Sequence, residues 1–333
     1  MKRRDVLKAG AALGTISGFP AVVRAQAKVT MRLSHQLPTG HHMHKIYTSF
    51  ADAAKAESKG EIEVQIFPAE QAAKANENHP AVARGAIEAA GSVNFQWGNT
   101  IPETSVTVIP YLLPQLARIK KWAGSEARAM LDAKSLQRGV RNIAWFYLTR
   151  QSIYTSNKAP LLKPADFKGL KVRGLNRLFD QSLVAVGAAP SALPGPEVYQ
   201  ALQSGVLDAG MTDVSAAVSR RFYEVQKFGT VAPNFTVFFQ TFVNPKWWDA
   251  LSADHRGAIE RAVQKTDAAA FDVTEATATD AVKQLREKGM TVHMQTDAEI
   301  AEWTAAMQKP VIDEFLKTAG ADGQKIIDLV AKL

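Results

Sequence analysis

The sequence predicts an α/β protein of two lobes, joined by crossing strands and braced by one long helix. Three observations carry this expectation. Strand-then-helix alternation occurs twice along the chain, strand-like apolar runs lie between and after the two rounds, and a proline-free helical stretch runs from Ser252 to Lys288.

In the first round, Val29, Met31 and Leu33 alternate with Thr30 and Arg32, which is strand spacing. Ile46, Phe50 and Ala53/Ala54 then recur at helical spacing until Gly60 stops the helix. Glu61 to Phe67 alternates strictly up to Pro68, Pro80 opens a helix expected to run to Ala90, and Ser92 to Trp97 alternates again. Three strands with two intervening helices make a parallel βαβαβ unit. In the second round, Lys171 to Arg173 is a short strand, Leu178 to Val186 a helix ended by Gly187, and Pro196 to Ser204 a helix followed by Gly205. Asn142 to Tyr147, Ile153 to Ser156 and Phe235 to Val243 read as strands able to cross between lobes. The stretch after Ser252 is rich in Ala, Glu, Lys and Arg, and Gly289 ends it; Thr296 and Glu299 form a capping box for a further helix. Two such lobes describe a hinged protein with a cleft.

Composition narrows the chemistry. The 333 residues are 46% hydrophobic and 22% charged, the profile of a packed globule, and contain no cysteine. Disulfides, thiolate metal sites, iron–sulfur clusters and cysteine nucleophiles are therefore excluded. The first residues, Lys2-Arg3-Arg4 and a small apolar run to Val23, have the layout of an export signal over 1–27, with cleavage after Val23-Arg24-Ala25 or Ala25-Gln26-Ala27. Paired Arg3-Arg4 matches twin-arginine export, and an ordinary signal peptide with two arginines is the alternative. Half of the formal charge of +8 belongs to this segment, and no basic run remains to suggest nucleic acid. No later stretch has the roughly 20 apolar residues of a membrane span.

Catalytic motifs with a mechanical rationale are absent: no Gly-x-Ser-x-Gly elbow, no His-Glu-x-x-His, no P-loop. His35, His41, His42 and His44 lie close enough to suggest a metal, but no nearby carboxylate completes a shell, and no metal or cofactor is expected. His35 follows the first strand, where α/β sheets place their ligands. Arg173, at the end of a buried parallel strand, carries a desolvation cost that an anion would offset; its fork suits a ligand carboxylate, or an internal Asp or Glu. Arg150 and Arg177 are looser candidates. Phe95, Trp97, Phe179, Phe235, Phe238 and Phe239 lie near strand ends and could wall an apolar part of a pocket.

Three segments carry a family resemblance: Lys163-Pro164-Ala165-Asp166-Phe167-Lys168-Gly169-Leu170-Lys171-Val172-Arg173, Tyr199 to Asp208, and Arg221-Phe222-Tyr223-Glu224-Val225-Gln226-Lys227-Phe228. Together with Arg32-Leu33-Ser34-His35, Ile109 to Leu113 and Trp247 to Ser252, they resemble the extracytoplasmic solute-binding proteins of TRAP transporters, of DctP type. The resemblance implies a two-lobe periplasmic-binding-protein fold, type II-like, with lobe I over 28–150 plus 240–277, and lobe II with the C-terminal helices over 151–239 plus 278–333. It implies that Arg173 pairs with a substrate carboxylate, and that cargo passes to a small and a large membrane subunit. Many members carry a second arginine where Ser152 or Ile153 stands here, and Glu-Asn-Pro where Met211-Thr212-Asp213 stands. A carboxylate at Asp213 would repel a second ligand carboxylate if it faces the cleft, or it caps the helix beginning near Ser215.

The expectation is thus a periplasmic subunit, not an enzyme, that captures a small organic acid, with a leaning to monocarboxylates. A secreted enzyme and a sensory ligand-binding protein are the alternatives. The expected ligand-contacting residues are Arg173, His35, Gln36, Asn94, Gln96 and Trp97. Arg150, Asn176, Thr212, Asp213 and Phe239 complete the set.

Overall fold

The computed structural model describes residues 29–333, so the expected signal peptide over 1–27 lies outside the described residues. Among the described residues, eleven strands form two sheets. The five-stranded sheet has the order β2-β1-β3-β10-β4, built from β1 (Val29–His35), β2 (Ile62–Phe67), β3 (Ala89–Val93), β4 (Arg141–Thr149) and β10 (Val237–Val243). The six-stranded sheet has the order β11-β9-β5-β8-β6-β7, built from β5 (Ser152–Ser156), β6 (Lys171–Gly174), β7 (Ala189–Ala192), β8 (Ala209–Asp213), β9 (Phe228–Ala232) and β11 (Thr291–Met294). β1 pairs in parallel with β2 and β3, the unit expected from the first round of alternation.

The chain passes between sheets twice within a few residues. β4 and β5 are separated only by Arg150 and Gln151, and β9 and β10 only by 233–236, yet each pair splits between the two sheets. The helix Ala253–Glu287 runs past both. At 1.5 Å per residue it is about 50 Å long, and Ser252 caps it by accepting from the His255 amide. Ala258, Ala262, Thr266, Ala270, Thr274 and Ala278 are buried at every fourth position, a ridge of small side chains that lets the helix lie close against both lobes. It packs on helix His42–Glu57 and on β4, where Thr274 donates to the Tyr147 carbonyl at 2.9 Å. Its second half supplies Ala281, Val282 and Leu285 to the apolar cluster of the six-stranded lobe.

Two local expectations are corrected. The helix begun near Pro80 spans only Asn78–Ala83, because Gly85 turns into the left-handed region at φ +76 and ends it. The strand expected over Ser92–Trp97 is instead Ala89–Val93, buried at every position and so without alternation. Asn94–Trp97 is a 3-10 turn, held by the Asn94 amide, which donates to the Thr104 carbonyl and the Thr107 hydroxyl. Among the described residues, no helix is long and apolar enough to cross a membrane.

Candidate ligand-binding site

The carboxyl ends of β1, β3 and β4 face those of β6 and β8 across a narrow cavity, the position where α/β sheets receive ligands. Arg173 on β6 is 5% exposed and lines it. Its Nε and Nη2 donate to the Leu193 carbonyl at 3.1 and 2.9 Å, and Nη1 donates to the Met211 carbonyl at 2.8 Å. A guanidinium has five N–H bonds, so these three main-chain contacts leave one hydrogen on each of Nη1 and Nη2. No Asp or Glu lies within ion-pair distance of it among the described residues; the alternative of an internal carboxylate partner is replaced by carbonyl partners. Burial, and then the like charge of Arg220, push Arg173 down to about 9, with Asp180 and Asp213 opposing the shift in part. An anion accepting from those two hydrogens would relieve that penalty.

The remainder of this charged wall comes from the end of β8. Asp213 caps the helix Val214–Ser219, accepting from the Ala216 amide at 2.8 Å. It also faces the cavity and meets His41 Nε2 of the opposite lobe at 3.4 Å. Burial would raise its carboxyl, but the hydrogen bond and charge of His41, with Arg220 nearby, hold it at about 2. Arg220, just past that helix, also lines the cavity and donates from Nη1 to the Thr212 hydroxyl at 3.3 Å. Its guanidinium lies against the backbone at Gly195, where a Cβ would collide with the terminal nitrogens. Sequence reasoning missed Arg220: a six-residue helix sets which way the following side chain turns, and no spacing announced it. The facing wall is mostly apolar, with Leu37, Val93, Phe95, Leu148 and Val237 from the five-stranded lobe. Gln36 is the polar exception there besides Thr149; its amide Oε1 is buried without a partner.

Of the expected residues, the cavity therefore gathers Arg173, Gln36, Thr212 and Asp213. The others lie elsewhere, each for a stated reason. His35 is fully buried behind the wall: its Nδ1 accepts from the Leu37 amide, its Nε2 meets His44 Nδ1 at 3.1 Å, and its ring stacks on Tyr47. Phe239 has the same strand parity and packs edge-on against His35 and Tyr47. Asn94 is consumed by its turn, and its Oδ1 accepts from the Phe238 amide. Gln96 sits on the same turn without reaching the cavity wall, and Trp97 packs against Phe242 in the small cluster beneath helix Asn78–Ala83. Asn176 caps helix Arg177–Ala185 and reaches across the lobes, donating to the Phe95 carbonyl at 3.0 Å and to the Ser105 hydroxyl at 2.9 Å. Of the aromatic candidates, Phe95 and Phe235 line the cavity, while Phe179 backs Phe235 and Phe238 stacks on Trp122.

Arg150 turns away altogether. It forks onto Glu275 of the long helix, with Nη2 to Oε2 at 2.8 Å, and Glu275 also accepts from the Tyr147 hydroxyl. It braces the crossover between β4 and β5 against the helix. Arg150→Ala is expected to leave ligand affinity within about twofold and to cost about 1 kcal/mol of stability; a tenfold loss of affinity in titration calorimetry would contradict this placement.

A cationic pocket between two sheets joined by paired crossovers defines a hinged solute-binding protein. The chain matches the model of "Bacterial extracellular solute-binding protein, family 7" (DctP) over residues 33–318 and belongs to that family, the extracytoplasmic solute-binding proteins of TRAP transporters. It is similar to the C4-dicarboxylate-binding periplasmic protein DctP of Rhodobacter capsulatus, 28% identical with 97% of each chain covered. It is also similar to the 2,3-diketo-L-gulonate-binding periplasmic protein of Escherichia coli, 26% identical over 99% of this chain and 100% of that one. Among solved structures, it resembles a TRAP periplasmic solute-binding protein from Desulfovibrio salexigens with bound orotic acid, at a TM-score of 0.87 and 27% identity, covering 92% of this chain and 98% of that one. These relatives are transport binding proteins, and the chain is one of them rather than an enzyme.

Proposed function

We propose that the protein works in the periplasm, captures a small monocarboxylate by closing its lobes, and delivers it to the small and large membrane subunits of a TRAP transporter. The observation that carries this reading is the buried Arg173 guanidinium, held by main-chain carbonyls with two N–H bonds to spare, in a cavity whose opposite wall is largely apolar. The relatives support the carboxylate: their named ligands, a C4-dicarboxylate, 2,3-diketo-L-gulonate and orotic acid, are all carboxylic acids. Asp213 supports a single carboxylate, because a second one in this cavity would face its buried negative charge. Lobe closure is supported by the polar contacts that bridge the cleft, His41 to Asp213 and Asn176 to Phe95 and Ser105. A ligand that adds contacts to both walls favours the closed state over the open one.

A thermal-shift screen of the purified protein against aliphatic, aromatic and sugar monocarboxylates, dicarboxylates and neutral sugars tests this. Ligand at ~100 times its dissociation constant adds about 2.7 kcal/mol, worth about 4 °C in a chain of this size. The expected result is a hit among monocarboxylates, accompanied by a smaller radius of gyration in small-angle scattering. Shifts only from neutral sugars, or scattering profiles unchanged at saturating ligand, would overturn the proposal.

A further inference from the structure

Arg173 and Arg220 are neighbours across the same two segments of backbone. Arg173 donates to the carbonyls of Leu193 and Met211, while Arg220 donates to the Thr212 hydroxyl and lies on Gly195. The anchoring residues on β8 are adjacent in sequence and both side chains line the cavity, so Arg220 stands near enough to meet a group next to a carboxylate held by Arg173. The Nε–H of Arg220 is buried without an acceptor. The charges around it decide what kind of acceptor fits. Asp213 and Glu70 both act on Arg220 with negative charge, so a second carboxylate here would meet two like charges, whereas an uncharged oxygen would not. On the facing lobe, the Gln36 Oε1 is likewise buried without a partner and seeks a donor. A hydroxyl satisfies both needs, since its oxygen accepts from Arg220 and its hydrogen goes to Gln36. Beyond it, the wall of Leu37, Val93, Phe95, Leu148 and Val237 offers no charged group, only apolar surface.

We propose that Arg220 and Gln36 together read a hydroxyl on the carbon next to the ligand carboxylate, making the preferred ligand a 2-hydroxy monocarboxylic acid with an apolar side chain. This rests on the reading that Arg173 holds a carboxylate. Polar contacts come mainly from the six-stranded lobe, and the five-stranded lobe recognises the ligand by covering its apolar part on closure. Arg220 is thereby a specificity-determining residue, and Gly195 is the residue that leaves it room.

Titration calorimetry with 2-hydroxy-4-methylpentanoate, its deoxy analogue 4-methylpentanoate, and succinate tests the assignment. The wild-type protein is expected to bind the hydroxy acid at least tenfold more tightly than the deoxy acid, and succinate more weakly than the hydroxy acid. Arg220→Gln is expected to cut the hydroxy-to-deoxy ratio to about threefold or less, the loss of its positive charge weakening both acids alike. Gly195→Ala, which leaves Arg220 chemically intact but displaces it, is expected to lower the same ratio, guarding against a folding defect peculiar to one variant. A wild-type ratio near one, a ratio unchanged in both variants, or an Arg220-dependent preference for succinate would overturn the proposal. If 4-methylpentanoate and the hydroxy acid bind in an Arg173-dependent way but Arg220 is indifferent, this inference alone fails. If no carboxylate binds, the monocarboxylate reading falls with it.

Discussion

Arg173→Gln is expected to weaken binding of any carboxylate ligand by roughly thirtyfold or more. The carboxylate would sit in a cavity whose wall residues are buried, and removing one partner of a buried, hydrogen-bonded charge pair typically costs about 2–5 kcal/mol. A glutamine has two N–H donors against the guanidinium's five, so it cannot both hold the Leu193 and Met211 carbonyls and meet a carboxylate. Because Arg173 ties the Leu193 and Met211 carbonyls together, the same change loosens the wall, so melting temperature without ligand should be measured beside affinity. Arg173→Lys separates the two effects. It keeps the charge but not the planar fork, and is expected to retain part of the affinity. Affinity within threefold of wild type in Arg173→Gln would refute the role assigned to this residue.

The second large effect is a loss of stability in acid. Burial pushes His35, His42 and His79 each down to about 3, with neighbouring histidines adding to the shift for His35 and His42. These rings stay neutral in the fold, while in the unfolded chain they take up a proton near pH 6.5. Below that pH the unfolded state therefore binds more protons, and stability falls as pH drops from about 6.5 towards 3. Asp180 and Asp267 work in the opposite direction: burial raises each to about 6, so the folded state takes up their protons first as pH falls. Three histidines against two carboxylates leave a net uptake on unfolding of about one proton near pH 5, or about 1.4 kcal/mol per pH unit. The expected outcome is a melting temperature some 5 °C lower at pH 4.5 than at pH 6.5. Asp180→Asn should steepen that decline, because it removes one of the two opposing groups. A flat profile between these pH values would contradict the buried neutral histidines.

The same histidines show how far local sequence could be read. Four of them crowd into ten residues, which suggests a metal or a cleft cluster when only spacing is seen. In the fold they disperse into separate tasks: His35 hydrogen-bonds within the core, His41 reaches Asp213 in the other lobe, and His42 binds the Leu148 carbonyl at 3.1 Å. Strand ends are legible, and those carrying Gln36, Arg173 and Asp213 meet at the cavity. Which side chain at each strand end turns inward is not. His35 and Phe239 share the parity that faces helix His42–Glu57, one position away from the cavity-facing Gln36 and well within the core.

Sequence by itself determined the periodic elements, their caps and their order: the long helix with Ser252 at its start, the Thr296–Glu299 capping box, the parallel opening unit and the family signatures around Arg173. Those features depend on interactions within a few residues, or on residue patterns, both of which are written along the chain. Only the tertiary structure decided that Arg150 belongs to Glu275, that Asn94 and Trp97 belong to the core, and that Arg220 stands beside Arg173. Each of those outcomes is a choice among partners distant in sequence, made by which surfaces the two crossovers and the long helix bring face to face. A charged or polar side chain takes whichever partner its buried surroundings provide, and that provision exists only once the lobes have packed.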